Sequence, residues 1–223
     1  IGSQIFDKQA YTELVKKMFA FAAKMNSEYG TSLTAVNLGG GFAAYYTKAD
    51  HPVPIQEVCE EILKTSAEEN AKYGNPIKRI LIEPGRSIVA EAGYNLYTVG
   101  YIKKTPNRLY AFVDGGMSDN IRPALYQAEY DAFIAGKEEE EVFADYTIAG
   151  KCCESGDLLI QSIPLPEVKK GDILVMKTTG AYGYSMASHY NKLPLPAAVF
   201  VRNGEDRCVI ERESYDHLIS LEK

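Results

Sequence analysis

The sequence predicts an α/β segment followed by a mostly antiparallel β domain, so the fold class is α/β plus all-β. In the first part of the chain, amphipathic helical patterns alternate with two short apolar runs, an order typical of parallel strands joined by crossover helices. After Gly93 the pattern changes to short alternating stretches, which indicate antiparallel strands. We therefore predict two domains, residues 1–93 and 94–223.

The first domain is predicted to contain two helices and two buried strands. Apolar residues recur at helical spacing over residues 8–29, and an apolar strand follows at residues 34–38. Pro54 suits the first position of a second helix, which should end near Gly74-Asn75-Pro76. A second apolar strand then covers residues 79–83.

The second domain is predicted to be built from short strands. Asn203-Gly204 between two of them is a strong signal for a two-residue hairpin, and residues 215–221 could add a terminal helix. The predicted strands are residues 94–104, 108–114, 141–149, 157–163, 172–177, 197–202 and 207–212.

Each strand of the first domain leads into a loop that could bind phosphate. The glycine loop, Gly39-Gly40-Gly41, follows the first strand, and the EPGR loop, Glu83-Pro84-Gly85-Arg86, follows the second. Glycine lets backbone N–H groups approach an anion, and a helix beginning just after each loop would direct its positive dipole end at the same point. A phosphate site flanked by Glu83 and Arg86 suggests pyridoxal phosphate, whose ring needs a proton held in place.

Three loops of the second domain contain candidate functional residues. Residues 114–126 are rich in Gly, Asp and Asn and include Arg122, which could bind a carboxylate or form a surface salt bridge; Pro123 is expected to interrupt regular structure there. Cys153-Glu154-Ser155-Gly156-Asp157 places a thiol beside two carboxylates, although a buried structural cysteine is the simpler interpretation. Tyr182 lies on a tight turn, Gly180-Ala181-Tyr182-Gly183.

Taken together, these motifs resemble the fold-type III pyridoxal phosphate decarboxylases, and within them the diaminopimelate decarboxylases. The resemblance extends from Gly2-Ser3-Gln4 to Tyr182. It implies an incomplete (β/α)8 TIM-type barrel portion at residues 1–93, a β domain after it, and a homodimer with shared active sites. The implied reaction converts meso-2,6-diaminopimelate to L-lysine and carbon dioxide.

The resemblance also implies roles for the cofactor-binding residues. Gly39, Gly40 and Gly41, with the amides of Gly85 and Arg86, would bind the cofactor phosphate. Glu83 would pair with the pyridine nitrogen, which keeps the ring able to accept electrons. Tyr182 would lie against both cofactor and substrate.

The substrate's far end would be held by opposite charges. By the same resemblance, Arg86, Arg122 and Tyr126 would bind the distal carboxylate and Glu154 the distal ammonium. Cys153, reaching in from the partner subunit, would return a proton as general acid, whereas Cys152 is a packing residue. Alternatives are a decarboxylase for another basic amino acid or for carboxynorspermidine, or a non-catalytic homologue used for dimerisation or regulation.

One residue that the resemblance requires is not found in the sequence. No lysine here has the context of the family's Schiff-base lysine, and Lys48, Lys151 and Lys192 are expected on the surface. We therefore expect a chain that lacks the amino-terminal half of such an enzyme and is inactive alone.

Composition excludes several other classes of function. The net charge of -6 and the scattered basic residues argue against nucleic-acid binding, and no apolar run is long enough for a membrane span. Three distant histidines make a metal site improbable, and four cysteines without CxxC spacing indicate free thiols. A cytoplasmic location is the expectation.

Overall fold

The chain divides after Glu91 into two units. The computed structural model describes residues 1–74 and 76–223, and these form unit 1, Ile1–Glu91, and unit 2, Ala92–Lys223. Unit 1 is α/β, whereas unit 2 is mostly β-sheet. No helix within the described residues has both the length and the apolar character needed to cross a lipid bilayer.

Helix α1 spans Lys8–Tyr29 and confirms the first predicted helix. The side chain of Asp7 caps its start by accepting the N–H of Gln9 at 2.8 Å, which satisfies a donor that the first turn leaves unpaired. Gly30 ends the helix in the left-handed conformation, with φ 64°, where glycine has no steric penalty.

Helix α2 spans Ile55–Tyr73. The prediction that Pro54 is its first residue was one position too early, because Pro54 is the N-cap with an extended ψ of 133°. At the other end Gly74 adopts φ 64° and donates its N–H to the carbonyl of Asn70. Of the predicted Gly74-Asn75-Pro76 ending, Asn75 lies outside the described residues.

Strands β1 (Ala35–Asn37) and β2 (Arg79–Leu81) pair in parallel, with Val36 opposite Ile80. Both are shorter than predicted. The prediction that the second strand is buried was wrong, since Arg79 and Leu81 are exposed and Ile80 is half-buried. The physical reason is that β2 has β1 as its sole strand neighbour within the described residues, so its other edge and part of its faces remain open.

The core of unit 1 joins both helices to β1 and to the glycine loop. Leu38 and Phe42, which flank that loop, are both buried, so packing fixes its two ends. The ring of Phe42 stacks on Tyr11 of α1 with 4.9 Å between centroids, and burial raises the pKa of Tyr11 to about 12. The buried members are Tyr11, Val15, Phe19, Ala22, Val36, Leu38, Phe42, Val58, Ile62 and Ile77.

Unit 2 begins after a single helical turn, α3 (Arg86–Val89), and is dominated by a six-stranded sheet of order β5-β8-β3-β4-β6-β7. Within the described residues, β4 and β6 pair in parallel and the other neighbours run antiparallel. This confirms a mostly antiparallel domain. The strands are β3 (Asn95–Lys104), β4 (Leu109–Val113), β5 (Ala132–Ile134), β6 (Ala144–Ala149), β7 (Leu158–Leu165) and β8 (Ile173–Met176).

Two elements of unit 2 differ from the expectation. Helix α4 spans Arg122–Tyr126, with Pro123 in its first turn, so the prediction that Pro123 interrupts regular structure was wrong. Proline fits there because first-turn N–H groups have no partner within the helix. The short strand β5 was also not predicted, since it pairs with β8 more than 35 residues later and has only three residues.

The end of the chain forms a separate hairpin and a helical turn. Strands β9 (Ala198–Arg202) and β10 (Glu205–Ile210) pair antiparallel around Asn203-Gly204. Both turn residues have positive φ, 53° and 81°, as a two-residue hairpin turn requires, so this prediction is confirmed. The predicted terminal helix is a single turn, α5 (Tyr215–Leu218).

Candidate active site

The glycine loop and the EPGR loop lie side by side at one end of the unit 1 sheet. Strands β1 and β2 run parallel, so their carboxyl ends meet at the same edge. Beyond the strands, Leu38 donates its N–H to the carbonyl of Leu81 at 2.9 Å, and Glu83 donates its N–H to the carbonyl of Gly39 at 2.7 Å. These bonds extend the strand pairing into both loops.

Glycine is required where the two loops meet. A Cβ on Gly40 would overlap the carbonyl oxygen of Glu83. Gly41 has φ 98°, and a Cβ there would lie 2.7 Å from the carbonyl oxygen of Gly2. The missing side chains therefore let three stretches of backbone, around Gly2, Gly40 and Glu83, approach one another closely.

Asn37 at the end of β1 connects these loops, and sequence reasoning missed it. Its side-chain Nδ2 donates to Oε1 of Glu83 at 2.5 Å, and its Oδ1 accepts the N–H of Gly39 at 2.9 Å. The signal was an asparagine two residues before a glycine turn, where its side chain can bond to the backbone. Since Gly39 is engaged in this way, the amides left for an anion are those of Gly40 and Gly41, which have no hydrogen-bond partner within the described residues.

The expected helix dipole is mostly absent from this edge. No helix follows the glycine loop directly; Phe42 instead forms a parallel bridge with Ile5, and α2 begins only at Ile55. The EPGR loop leads into α3, which is a single turn. The prediction that a helix begins just after the loop was therefore wrong for the glycine loop. Individual backbone N–H groups are the available donors there.

Arg86 is held by side chains of unit 1. Its guanidinium donates to the hydroxyl of Tyr46 at 2.6 Å and to Oγ of Ser3 at 2.9 Å, and it lies 5.4 Å from the centre of the Tyr46 ring. These contacts fix the orientation of the planar guanidinium group.

In unit 2 the structure brings Arg122 and Tyr182 together. Arg122, the first residue of α4, is 7 % exposed, and its guanidinium lies 5.7 Å from the centre of the Tyr182 ring. Tyr126, at the other end of α4, is 62 % exposed. The two α4 residues are four apart and so share a face of the helix, but only Arg122 is buried.

Close backbone packing positions the turn that contains Tyr182. Thr179 donates its N–H to the carbonyl of Gly93 at 2.9 Å, and a Cβ on Gly93 would overlap the Cα of Gly180. Tyr182 itself has φ 61°, an uncommon conformation for a bulky residue. The turn therefore holds this ring in a fixed place beside Arg122.

The Cys153-Glu154 loop, residues 151–156, is held by two hydrogen bonds to the segment around Tyr190. Cys153 donates its N–H to Oδ1 of Asn191 at 2.9 Å, and the Tyr190 hydroxyl donates to Oε2 of Glu154 at 3.3 Å. The Cys153 residue is exposed, whereas Cys152 is partly buried, so the thiol of Cys153 is the one open to a reactant. The interpretation of Cys153 as a buried structural cysteine is thereby wrong.

Glu154 is held in its charged form. The N–H of Gly156 and the hydroxyls of Ser155 and Tyr190 hydrogen-bond its carboxylate and lower its pKa below the ordinary value. A carboxylate with these donors remains anionic at neutral pH, which suits it to bind an ammonium group.

Asp157 joins this loop to the segment that leads to Arg122. One carboxylate oxygen accepts the N–H of Met117 at 2.6 Å and the other accepts the N–H of Cys152 at 2.7 Å. The residue is only 3 % exposed, and a Cβ on either Gly116 or Gly150 would collide with its carboxylate. Sequence reasoning assigned no role to Asp157 because the partners lie in two separate loops.

Comparison with known proteins identifies the family. A family model described as "Pyridoxal-dependent decarboxylase, C-terminal sheet domain" matches residues 29–180. The chain belongs to the pyridoxal-dependent decarboxylases. Its relatives include a diaminopimelate decarboxylase of Bacillus subtilis, 50% identical over 100% of this chain and 51% of that protein.

Solved structures of this decarboxylase family agree with the fold. Diaminopimelate decarboxylase from M. jannaschii in complex with L-lysine matches with a TM-score of 0.91 and 33% identity, over 100% of this chain and 50% of that one. The enzyme from Helicobacter pylori complexed with L-lysine gives 0.87 and 32%, over 100% and 52%. The chain thus spans about half the length of the relatives it matches.

The donors found in unit 1 fit the cofactor of this decarboxylase family, pyridoxal phosphate. Free glycine amides at Gly40 and Gly41 suit a phosphate group, and the exposed carboxylate of Glu83, fixed by Asn37, suits a protonated ring nitrogen. In unit 2 the structure groups Arg122 with Tyr182 and Cys153 with Glu154. The roles of these residues toward cofactor and substrate remain predictions.

Proposed function

We propose that this chain provides part of the active site of a pyridoxal phosphate-dependent decarboxylase that converts meso-diaminopimelate to L-lysine and carbon dioxide. The observation that favours this substrate is a set of opposite charges in unit 2. A buried guanidinium, Arg122, and a carboxylate with a lowered pKa, Glu154, suit the carboxylate and the ammonium at the distal end of diaminopimelate. The identity to diaminopimelate decarboxylases supports the same assignment.

Unit 1 is proposed to be a portion of a (β/α)8 barrel. Its β1-α2-β2 succession is the repeating unit of such a barrel, and its glycine and EPGR loops lie at the carboxyl ends of the strands, where barrel enzymes have their active sites. The Schiff-base lysine is proposed to come from the half of the full-length enzyme that this chain does not match.

In this proposal the cofactor is held by unit 1. Gly40 and Gly41, with the amides of Gly85 and Arg86, bind its phosphate, and Asn37 orients Glu83 toward its ring nitrogen. When bound, pyridoxal phosphate accepts the electron pair of the bond to the departing carboxylate. Asn37 donates to one oxygen of Glu83, which leaves the other for the ring N–H.

The substrate is held at its distal end. Arg86, Arg122 and Tyr126 bind the distal carboxylate, Glu154 binds the distal ammonium, and Tyr182 packs against cofactor and substrate. Ornithine, lysine and arginine lack a distal carboxylate, so they could not form the ion pair with Arg122 that the proposal assigns to diaminopimelate. Carboxynorspermidine carries its carboxylate at the reacting end and is disfavoured for the same reason.

Cys153 is proposed to complete the reaction by returning a proton to the carbon that has lost carbon dioxide. Its exposure in unit 2 is compatible with a thiol that reaches into the active site of a partner subunit, in a homodimer with shared active sites. We expect the enzyme in the cytoplasm, a compartment in which its four cysteines stay as free thiols.

A chimera tests this function directly. This chain is exchanged for the matching residues of the Bacillus subtilis relative, and carbon dioxide release is measured with meso-diaminopimelate, ornithine and carboxynorspermidine. Release from meso-diaminopimelate well above that from the other two supports the proposal. Equal or faster turnover of ornithine contradicts the substrate assignment, and no turnover of any substrate contradicts the function.

The role of Cys153 is tested in the same chimera. We expect Cys153→Ala to lower kcat by about 100-fold, a typical contribution of a general acid, without weakening the binding of pyridoxal phosphate. Cys152→Ala is the matched control and should retain kcat within about threefold. Unchanged turnover in Cys153→Ala would refute the assigned role.

A further inference from the structure

The segment that contains Tyr190 and Asn191 is fixed on both sides. Ser188 donates its N–H to the carbonyl of Ser118 at 2.9 Å. Glu213 accepts the N–H of Leu195 at 3.0 Å and lies 2.7 Å from Nε2 of His189. These contacts connect the segment to unit 2 before and after Tyr190-Asn191, so the pair has a defined position.

Asn191 has an uncommon backbone conformation that directs its side chain. It lies in the left-handed region with φ 55° and ψ 27°, which asparagine tolerates better than most residues. In this conformation its Oδ1 accepts the N–H of Cys153. The left-handed conformation of Asn191 costs free energy, and the hydrogen bond from the N–H of Cys153 offsets part of that cost.

Tyr190 contacts Glu154, the residue that follows Cys153 in the Cys153-Glu154 loop. Its hydroxyl donates to Oε2 of Glu154, while Oε1 accepts the N–H of Gly156 at 3.2 Å. The carboxylate is thus held at both oxygens. Burial together with the charge of Glu154 raises the pKa of Tyr190, so the phenol keeps the proton that it donates.

We propose that Tyr190 and Asn191 are positioning residues for the decarboxylase reaction, Asn191 for the Cys153 thiol and Tyr190 for the Glu154 carboxylate. This inference rests on the proposed function for the roles of Cys153 and Glu154. Because the thiol moves a proton and the carboxylate binds the substrate, the two positioning residues act on different kinetic parameters: Asn191 on kcat and Tyr190 on KM.

Variants of Asn191 in the chimera test whether this residue positions Cys153. Asn191→Gly removes the acceptor while accommodating the left-handed backbone, and we expect kcat to fall about threefold to tenfold, the effect of one hydrogen bond. Hydrogen exchange of the peptide containing Cys153 should accelerate. Asn191→Asp retains an acceptor and should restore both measurements. Asn203→Gly is the matched control, because Asn203 is also left-handed, with φ 53°, but lies in the β9–β10 turn.

Tyr190→Phe removes only the hydroxyl and tests whether Tyr190 positions the Glu154 carboxylate. We expect KM for meso-diaminopimelate to rise about threefold to tenfold with kcat nearly unchanged. Since one donor to Glu154 is lost, its pKa rises, and KM should begin to increase at a higher pH than in the unmodified chimera as the medium is acidified. Tyr184→Phe is the control, since both tyrosines are 40% exposed.

The outcomes separate this inference from the proposed function. If the unmodified chimera releases no carbon dioxide, the proposed function fails, and hydrogen exchange at Cys153 still decides whether Asn191 positions its backbone. If the chimera is active but Asn191→Gly leaves kcat and exchange within twofold of the control, the role of Asn191 is overturned. If Tyr190→Phe raises KM no more than Tyr184→Phe does, the role of Tyr190 is overturned.

Discussion

At Gly40 the absence of a side chain lets the glycine loop pass against the carbonyl oxygen of Glu83. We expect Gly40→Ala to push the two loops apart, to destabilise the chimera by about 2 kcal/mol and to weaken its affinity for pyridoxal phosphate. Thermal denaturation and an absorbance titration with the cofactor measure the two effects.

Gly30→Ala is the control for this substitution. Gly30 has positive φ, 64°, so a side chain there is strained, but a Cβ meets nothing within 4 Å. The Gly30→Ala substitution should lower the free energy of unfolding by about 1 kcal/mol and leave cofactor affinity unchanged. Wild-type affinity in Gly40→Ala would show that the close approach of the two loops is not needed for binding.

Asp157 is a second residue whose contribution to the stability of the folded protein can be measured. In Asp157→Asn an NH2 group would face one of the two backbone N–H donors, of Met117 or Cys152. Loss of a buried hydrogen bond to a charged acceptor should destabilise the protein by about 2 kcal/mol, measured as a lower melting temperature. Asp145→Asn, on the exposed side of β6, should change stability by less than about 0.5 kcal/mol.

The residues to which sequence reasoning assigned no role have a common property. Asn37, Asp157 and Asn191 act on backbone groups of other loops, and those partners become neighbours only after the chain folds. Gly40, Arg122 and Cys153 could be predicted as site residues because glycine, arginine and cysteine indicate their chemistry without knowledge of a partner. The uneven burial of Arg122 and Tyr126 on one helix also could not be read from their spacing.

Among the elements, the ends of β5 and β8 are joined by an ion pair suited to a pH experiment. Lys137 Nζ lies 2.7 Å from Oδ2 of Asp172 and donates to the carbonyl of Glu167 at 2.9 Å. Burial by itself would raise the pKa of Asp172, but the hydrogen bonds from Lys137 and from the N–H of Lys169 outweigh it and lower the pKa.

The sign of the pH dependence follows from this lowered pKa. Asp172 stabilises the folded state above its unfolded pKa, about 3.9, and that stability is lost as pH falls through the folded value. We expect Lys137→Met to cost about 1 kcal/mol at pH 7 and to make stability less sensitive to acid between pH 5 and pH 2. Melting temperatures across that range provide the measurement.

Lys169→Met is the matched control, because the Lys169–Glu167 pair is exposed, at 65% and 57%. It should change stability by less than about 0.5 kcal/mol. An equal loss in both variants would contradict a special contribution from the Lys137 pair.

Elements with strong local patterns were predicted well, and those defined by tertiary pairing were not. Helix α1 and the Asn203-Gly204 hairpin follow from periodicity and turn chemistry. Strand β5 has too few residues for a pattern and depends on a partner distant in sequence. The exposure of β2 depends on how many strands flank it, which an apolar run does not indicate.

At the scale of the whole molecule, the proposed homodimer makes a quantitative prediction. A chimera with Glu83→Ala and one with Cys153→Ala should each retain about one per cent of the activity or less, because one lacks the proposed cofactor contact and the other the proposed acid. If each active site combines Glu83 of one subunit with Cys153 of its partner, mixed dimers contain one intact site. Random mixing should then restore about a quarter of the unmodified activity.

The measurement is carbon dioxide release after the two variants are mixed, dissociated and reassociated. Mixing either variant with itself is the control and should leave the low activity of that variant unchanged. An absence of recovery, with mixed dimers verified by mass spectrometry, would contradict active sites shared between subunits.

The two hydrogen bonds of Asp157 have a consequence for the two active sites of the proposed homodimer. Because one carboxylate holds the loop before Arg122 and the loop before Cys153, neither loop can shift without disturbing the other. In the proposed homodimer, Arg122 and Cys153 of one chain would serve different active sites. Asp157 would therefore couple the substrate-binding loop of one site to the acid-bearing loop of the other.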